Sequence, residues 1–120
     1  MFLDTNIIIY HLYDTIDLES YIKSYDQIYY SFISKIELLS FPDLAKEEGR
    51  KAKDLIQAFS QVMVNDEIVD EAIMIRKKYG LKVPDSIIVA STMVCSAGLF
   101  TNDGELKKKI SEINIMTLDE

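Results

Sequence analysis

The first ten residues constrain the fold more than any other stretch of the chain. The apolar pair Phe2-Leu3 is followed by the polar triplet Asp4-Thr5-Asn6 and then by the apolar residues 7–10. An apolar strand that begins at the second residue leaves little room for an exposed edge position, so we expect a central strand. In an open α/β sheet the ligand crevice lies beyond the carboxyl ends of the strands. Asp4 therefore occupies the position of a metal or phosphate ligand, with Thr5 and Asn6 turning the backbone and capping the next helix.

Length and composition indicate one globular domain over residues 1–120. The chain has 120 residues, 48% of them hydrophobic, which is enough to bury a core. It contains one cysteine, Cys95, and one histidine, His11. These counts exclude an intramolecular disulfide framework, a multi-cysteine zinc site and a paired-histidine acid–base site. The absence of a histidine pair also argues against a metal-free, cyclising ribonuclease.

Charge and hydropathy bound the surroundings of the protein. The longest uncharged run, residues 86–102, is shorter than the roughly 20 apolar residues that a membrane span needs. No signal-peptide pattern precedes the first strand, so we expect a cytoplasmic protein without membrane association. The net charge of −7 argues against a broad basic surface for nucleic acid. It does not exclude nucleic acid, because bound divalent metal neutralises clustered carboxylates.

Short apolar strands alternate with helices along the chain. After the first strand, the patterns predict strands at residues 27–32, 61–64, 99–101 and 114–118. They predict helices at residues 7–13, 18–25, 34–41, 43–59, 66–79 and 86–97, and a short one around 107–109. This alternation predicts an α/β three-layer sandwich, with a central parallel sheet of about four to five strands and helices on both faces.

Several residues mark the expected helix ends. Ser34-x-x-Glu37 has the form of a capping box before apolar residues. Pro42 would end that helix, with another beginning at Asp43. Gly80 stands where the C′ residue of the 66–79 helix belongs, and Gly98 would end the helix that Pro84-Asp85 opens.

Four acidic residues are notable for their positions. Asp4 and Asp103 each follow an apolar strand, while Glu37 and Asp85 lie in the expected first turns of two helices. Strand C-termini and the following helix N-termini share one edge of a parallel sheet, so the four carboxylates would converge. Their mutual repulsion requires a cation, and Mg²⁺ or Mn²⁺ prefers such oxygen ligands. Each acid taken singly also has a structural explanation as a cap or a turn residue; the set of four is the signal.

The order of these motifs resembles the PIN domain family, and the chain's size resembles the VapC-type toxins within it. The resemblance is carried by Asp4-Thr5-Asn6, Ser34-x-x-Glu37, Pro84-Asp85 and Thr101-Asn102-Asp103. It implies an endoribonuclease dependent on Mg²⁺ or Mn²⁺, in which a metal-activated water hydrolyses RNA phosphodiesters. Its implied metal ligands and catalytic residues are Asp4, Glu37, Asp85 and Asp103. Its implied supporting residues are Thr5, Asn6, Thr101 and Asn102.

RNA and protein partners complete the expectation. The lysines close in sequence to the four acids are candidates for phosphate contacts, although at least half of them are expected only to solvate helix surfaces. These candidates are Lys35, Lys82, Lys107 and Lys108. The resemblance further implies a homodimer and a cognate antitoxin. The tyrosines that could add contact area, or equally lie in the core, are Tyr10, Tyr13, Tyr21, Tyr25, Tyr29 and Tyr30.

Three other functions remain open from the sequence. One is a PIN nuclease of RNA processing that has no antitoxin. Another is a non-catalytic PIN-like module that binds RNA or protein, although such modules usually lose site acids and all four are present here. The last is a phosphoaspartate enzyme with Asp4 as nucleophile, which would want a second acid where the chain has Asn6.

Overall fold

The computed structural model describes residues 1–41 and 44–118. Within them, five parallel strands form one sheet in the order β3-β2-β1-β4-β5. The strands are β1 (Phe2–Leu3), β2 (Tyr29–Ser31), β3 (Ser60–Val62), β4 (Leu99–Phe100) and β5 (Ile115–Met116). The first strand lies at the centre of the sheet, which confirms the prediction from its position in the sequence.

Helices cover both faces of this sheet. They are α1 (Thr5–Leu12), α2 (Leu18–Ile22), α3 (Phe32–Leu39), α4 (Lys46–Ala58), α5 (Asp66–Tyr79), α6 (Val83–Val94) and α7 (Gly104–Lys109). Neighbouring strand residues point to opposite faces, so Leu3 packs with the buried residues of α1, α2 and α4, while Phe2 packs with those of α5, α6 and α7. The predicted α/β three-layer sandwich is therefore confirmed. None of the helices described here is long and apolar enough to cross a membrane.

Helix α5 has the bounds that its sequence predicts. Asn65 caps its N-terminus, because the Asn65 side chain accepts a hydrogen bond from the Ile68 amide. At the other end, Gly80 adopts the left-handed conformation with φ of 69°, which a residue without Cβ reaches at no steric cost. Both capping signals depend only on residues close in sequence, so they can be recognised without knowledge of the tertiary structure.

The predicted capping box at Ser34 is wrong. Helix α3 begins at Phe32, and the hydroxyl of Ser31 caps it by accepting a hydrogen bond from the Ile33 amide. Ser31 is the last residue of β2, so strand and helix join directly and the cap falls three residues earlier than expected. Glu37 consequently lies beyond the first turn of α3, and Ser34 is a buried residue inside the helix.

Other boundaries shift by a few residues. Helix α1 begins at Thr5 with Asp4 as its N-cap, so the aspartate, rather than Thr5 or Asn6, caps the helix. Helix α2 stops at Ile22, short of the predicted 18–25. Helix α6 ends at Val94 instead of reaching Gly98, because the chain already turns through Ser96, which has φ of 51°. The predicted roles of Pro42 and Asp43 lie outside the described residues.

Candidate active site

Asp4 lies at the end of the central strand and is held on both carboxylate oxygens. Its Oδ1 accepts a hydrogen bond from the Thr5 amide at 2.8 Å, and its Oδ2 accepts one from the Thr101 hydroxyl at 2.6 Å. Its own amide donates to the carbonyl oxygen of Phe100 at 2.9 Å. The pairing of β1 with β4 therefore fixes both the backbone and the side chain of Asp4.

Burial and nearby negative charges act on Asp4 together. Burial raises the pKa of the Asp4 carboxyl, and the charges of Glu37 and Asp103 raise it further. The hydrogen bonds from Thr101 and Thr5 oppose the rise because they favour the ionised form. Since Glu37 and Asp103 act on the pKa of Asp4, the fold brings these three acids together from distant parts of the chain.

Thr101 connects Asp4 to Asp103. Its buried hydroxyl donates to Asp4 and accepts a hydrogen bond from the Asp103 amide at 3.1 Å. The Asp103 carboxylate in turn caps α7 by accepting from the Leu106 amide at 3.1 Å. Asp103 is therefore both a helix cap, as its purely structural explanation requires, and a neighbour of the Asp4 carboxylate.

Asp85 belongs to the same group of charges. It lies in the first turn of α6, as predicted, behind Pro84. Burial raises the pKa of the Asp85 carboxyl, and the charges of Asp4 and Asp103 add to that effect. The Lys82 ammonium opposes this rise in the pKa of Asp85.

Glu37 reaches the site from α3. Its Oε1 accepts a hydrogen bond from the Thr5 hydroxyl at 2.9 Å, and the same hydroxyl lies 2.8 Å from that of Ser34. Thr5 thus contacts two of the four acids, Asp4 through its amide and Glu37 through its hydroxyl. The sequence predicts only a capping role for Ser34. Its position one helical turn before Glu37 is the signal that could have indicated the contact.

The remaining predicted residues are placed less centrally. The Asn102 amide donates to the Tyr10 hydroxyl at 3.1 Å, and Asn6 is exposed in the first turn of α1. Lys35 is half-buried on α3, and Lys108 forms an exposed ion pair with Glu105 at 3.7 Å. Lys107 lies on the same short helix as Lys108, α7.

The site has the chemistry of a hard-cation centre without the tight geometry of one. In the part of the chain that the structure describes, no three His, Cys, Asp or Glu side chains are arranged to hold a metal ion. The donor set nevertheless fits Mg²⁺ or Mn²⁺, because it consists of carboxylates that share one field of negative charge. Glu37, Asp85 and Asp103 are exposed. Asp85 has room to rotate toward Asp4, whereas Glu37 is held on Oε1 by Thr5 and Asp103 caps α7 through Oδ1.

A large groove lies away from these acids. It has a volume of about 900 Å³ and runs between α2, the segment before β2, and α4. His11, Lys51 and Leu55 are among its lining residues, and none of the four acids is. Tyr25 also lines it, whereas Tyr30 is buried and the ring of Tyr21 packs at a tilt against that of Phe100, so the tyrosines divide between surface and core.

Comparison with known proteins gives one family and a set of similar folds. The family model described as PIN domain matches residues 1–110. A toxin–antitoxin complex from Klebsiella pneumoniae has a chain of similar fold, with 23% identity and a TM-score of 0.79 over 97% of this chain and 95% of that one. A chain of VapBC2 from Rickettsia felis, bound to a promoter DNA fragment, is 16% identical with a TM-score of 0.82, over 97% of this chain and 96% of that one. A chain of VapBC-1 from nontypeable Haemophilus influenzae is 21% identical with a TM-score of 0.79, over 99% of this chain and 98% of that one.

These comparisons differ in what they establish. At such low identity, the solved structures show that the fold is shared and no more. No curated protein matches the chain significantly. The family model, in contrast, matches most of the chain and includes all four acidic positions. The chain therefore belongs to the PIN domain family.

Proposed function

We propose that the protein is a metal-dependent endoribonuclease that hydrolyses RNA phosphodiester bonds. The observation that carries this proposal is the grouping of acids from distant parts of the chain. Thr5 contacts both Asp4 and Glu37, and Thr101 contacts both Asp4 and Asp103. The charges of Asp4 and Asp103 also raise the pKa of Asp85. Folding would not bring like charges together for stability alone, because their repulsion is unfavourable. A cation-dependent reaction gives the arrangement a purpose.

The four acids would hold Mg²⁺ or Mn²⁺, either directly or through water. When bound, such an ion lowers the pKa of a coordinated water and offsets the negative charge that develops on the phosphate. Asp4 would provide the fixed ligand, because Thr5 and Thr101 already orient its carboxylate. Glu37 would offer the carboxylate oxygen that Thr5 does not hold, and Asp103 the oxygen that does not cap α7. Asp85 would adjust its position when the ion and the RNA arrive.

Lysines near the acids would contact the RNA backbone. Lys82 is one candidate, because its charge lowers the pKa of Asp85. Lys35, Lys107 and Lys108 lie on α3 and α7, the helices that carry Glu37 and follow Asp103. If these lysines bind phosphates, RNA affinity falls steeply with rising salt.

We further propose that the nuclease is the toxin of a type II toxin–antitoxin pair, acting in the cytoplasm as a homodimer until an antitoxin binds it. The similar folds described as toxin–antitoxin or VapBC complexes support this assignment. Exposed apolar side chains that neighbour one another on a helix, such as Ile36 and Leu39 on α3 and Val69 and Ile73 on α5, offer surface to protein partners. The alternative, a PIN nuclease of RNA processing without an antitoxin, requires the same site and a different partner.

The test of the nuclease is cleavage of a mixed cellular RNA pool by the purified protein. We expect cutting with Mn²⁺ or Mg²⁺, none with a chelator, and roughly a 100-fold loss in an Asp85→Asn variant, in line with the removal of one group that stabilises transition-state charge. Asp70→Asn is the matched control, because it makes the same chemical change on an exposed position of α5.

The outcomes separate the candidate functions. Equal cutting by wild type and Asp85→Asn would identify a contaminating nuclease. A failure of wild type to cut any RNA, together with RNA or protein binding that needs no metal, would favour the non-catalytic module. Co-purification with the product of an adjacent small gene, and loss of cutting in that complex, would distinguish a toxin from an RNA-processing nuclease.

A further inference from the structure

We propose that Ser34 is a positioning residue that orients Glu37 through the hydroxyl of Thr5. The inference rests on the proposed function, because it takes Glu37 to be a metal ligand. It concerns a buried serine on α3 that belongs to the Ser34-x-x-Glu37 motif but has only a predicted capping role there. Ser34 has no exposed surface, and Thr5 is 6% exposed.

The direction of the hydrogen bonds follows from counting hydrogens. The Thr5 hydroxyl carries one hydrogen, which it donates to Glu37 Oε1 at 2.9 Å. The 2.8 Å contact between the Thr5 and Ser34 hydroxyls must then use the hydrogen of Ser34. Ser34 therefore donates to Thr5, and Thr5 donates to Glu37, in a chain that ends at a carboxylate.

Other buried hydroxyls in this protein behave differently. Ser91 and Thr92 on α6 donate back to the carbonyl oxygens of Ile87 and Ile88, four residues earlier in their own helix. Such bonds are the usual way for a serine or threonine inside a helix to use its hydrogen. Ser34 instead directs its hydrogen from α3 to α1, so its hydroxyl joins two helices at the site.

This chain of hydrogen bonds limits the freedom of Glu37. Glutamate has a long side chain, and Glu37 is exposed, so it would otherwise sample many rotamers. Because Thr5 holds Oε1, the second oxygen, Oε2, can occupy fewer positions. Oε2 is then available to bind a cation. Because Ser34 and Thr5 are buried, water does not compete for their hydroxyls.

The test measures Mn²⁺ affinity of the full chain by calorimetry, without RNA. We expect Ser34→Ala to weaken Mn²⁺ binding about 10-fold, the lower end of the range for residues that orient metal ligands. Ser91→Ala is the matched control, because it removes an equally buried helical hydroxyl with no link to the acids. We expect it to leave Mn²⁺ affinity unchanged.

A second comparison separates positioning from packing. In a Thr5→Val background, Ser34→Ala should cause no further loss, because the connection to Glu37 is already broken. Thr5→Ser keeps the hydroxyl and should retain wild-type affinity, while Thr5→Val should lose about 10-fold. If Ser34→Ala fails to fold, this pair still tests the bond from Thr5 to Glu37 on which the inference depends, and equal affinities would refute it.

Three results from the variants would overturn the inference even if wild type binds Mn²⁺. The first is equal Mn²⁺ affinity in Ser34→Ala and Ser91→Ala. The second is an equal loss of Mn²⁺ affinity when Ser34→Ala is made in wild type and in the Thr5→Val background. The third is equal Mn²⁺ affinity in Thr5→Ser and Thr5→Val. Wild type that binds Mn²⁺ with the expected dependence on Ser34 but cuts no RNA would refute the nuclease alone. Wild type that binds no Mn²⁺ would refute the metal site and this inference with it.

Discussion

Two carboxylates in this protein have opposite surroundings. Asp4 is largely enclosed beside Glu37 and Asp103, and its pKa is raised. Glu112, in the segment between α7 and β5, accepts a hydrogen bond from the Tyr79 hydroxyl, lies 3.1 Å from the Lys78 ammonium, and has its pKa lowered to about 2. One carboxylate is destabilised in its ionised form, and the other is stabilised.

The difference separates a carboxylate that stabilises the fold from the carboxylates that the proposed function assigns to the chemistry. The contacts of Glu112 tie the end of α5 to the segment before β5, and they need nothing further. The acids around Asp4 repel one another, and in the proposed function a bound cation would relieve that repulsion. Each of the following experiments changes one side of this comparison.

The largest expected effect is the stabilisation of the acidic site by metal. Mn²⁺ at about 100 times its dissociation constant should raise the free energy of unfolding by about 2.7 kcal/mol, because it binds only the folded chain. Asp4→Asn should lose this gain, since it removes the most firmly held ligand. Urea unfolding with and without Mn²⁺ measures the effect. An equal gain in Asp4→Asn and wild type would place the metal elsewhere.

A smaller effect is expected when Glu112 is neutralised. Glu112→Gln should lower the free energy of unfolding by about 0.5–1 kcal/mol at pH 7, a value reduced for the solvent screening of a partly exposed pair. Because the folded-state pKa is depressed, the stabilisation is complete above the ordinary value of 4.5 and disappears as the pH falls toward 2. Unfolding curves across that range test it, and RNA cleavage at pH 7 should not change.

The smallest effect is expected at Asp85 in the absence of metal. Asp85→Asn should raise the free energy of unfolding by about 0.3 kcal/mol at pH 7 and low salt, because it removes a screened repulsion. The folded-state pKa of Asp85 is raised, so wild type gains stability as the pH falls through that value toward 3.8, and the advantage of the variant vanishes. A destabilised Asp85→Asn protein would mean that the carboxylate gains more from its attraction to Lys82 than it loses by repulsion from Asp4 and Asp103.

Local signals predicted much of the fold. Helix α5 spans Asp66–Tyr79 with Gly80 after its end, as expected, and the early apolar strand lies at the centre of the sheet. Propensity failed where two elements meet without a loop: Ser31 ends β2 and caps α3, so the Ser34 capping box never forms. A pattern of residue types does not show which of two nearby serines caps a helix that follows a strand directly.

The sequence by itself determined the residue types of the site and their order: Asp4 after an apolar strand, Asp85 opening a helix, and Asp103 after another strand. This is possible because strand ends and helix starts have characteristic residue types within a few positions of one another. Only the tertiary structure decided that Thr101 binds Asp4 and that Ser34 reaches Glu37 through Thr5. Those contacts join residues 29 to 97 positions apart, and they exist only once parallel pairing has brought the strand ends together.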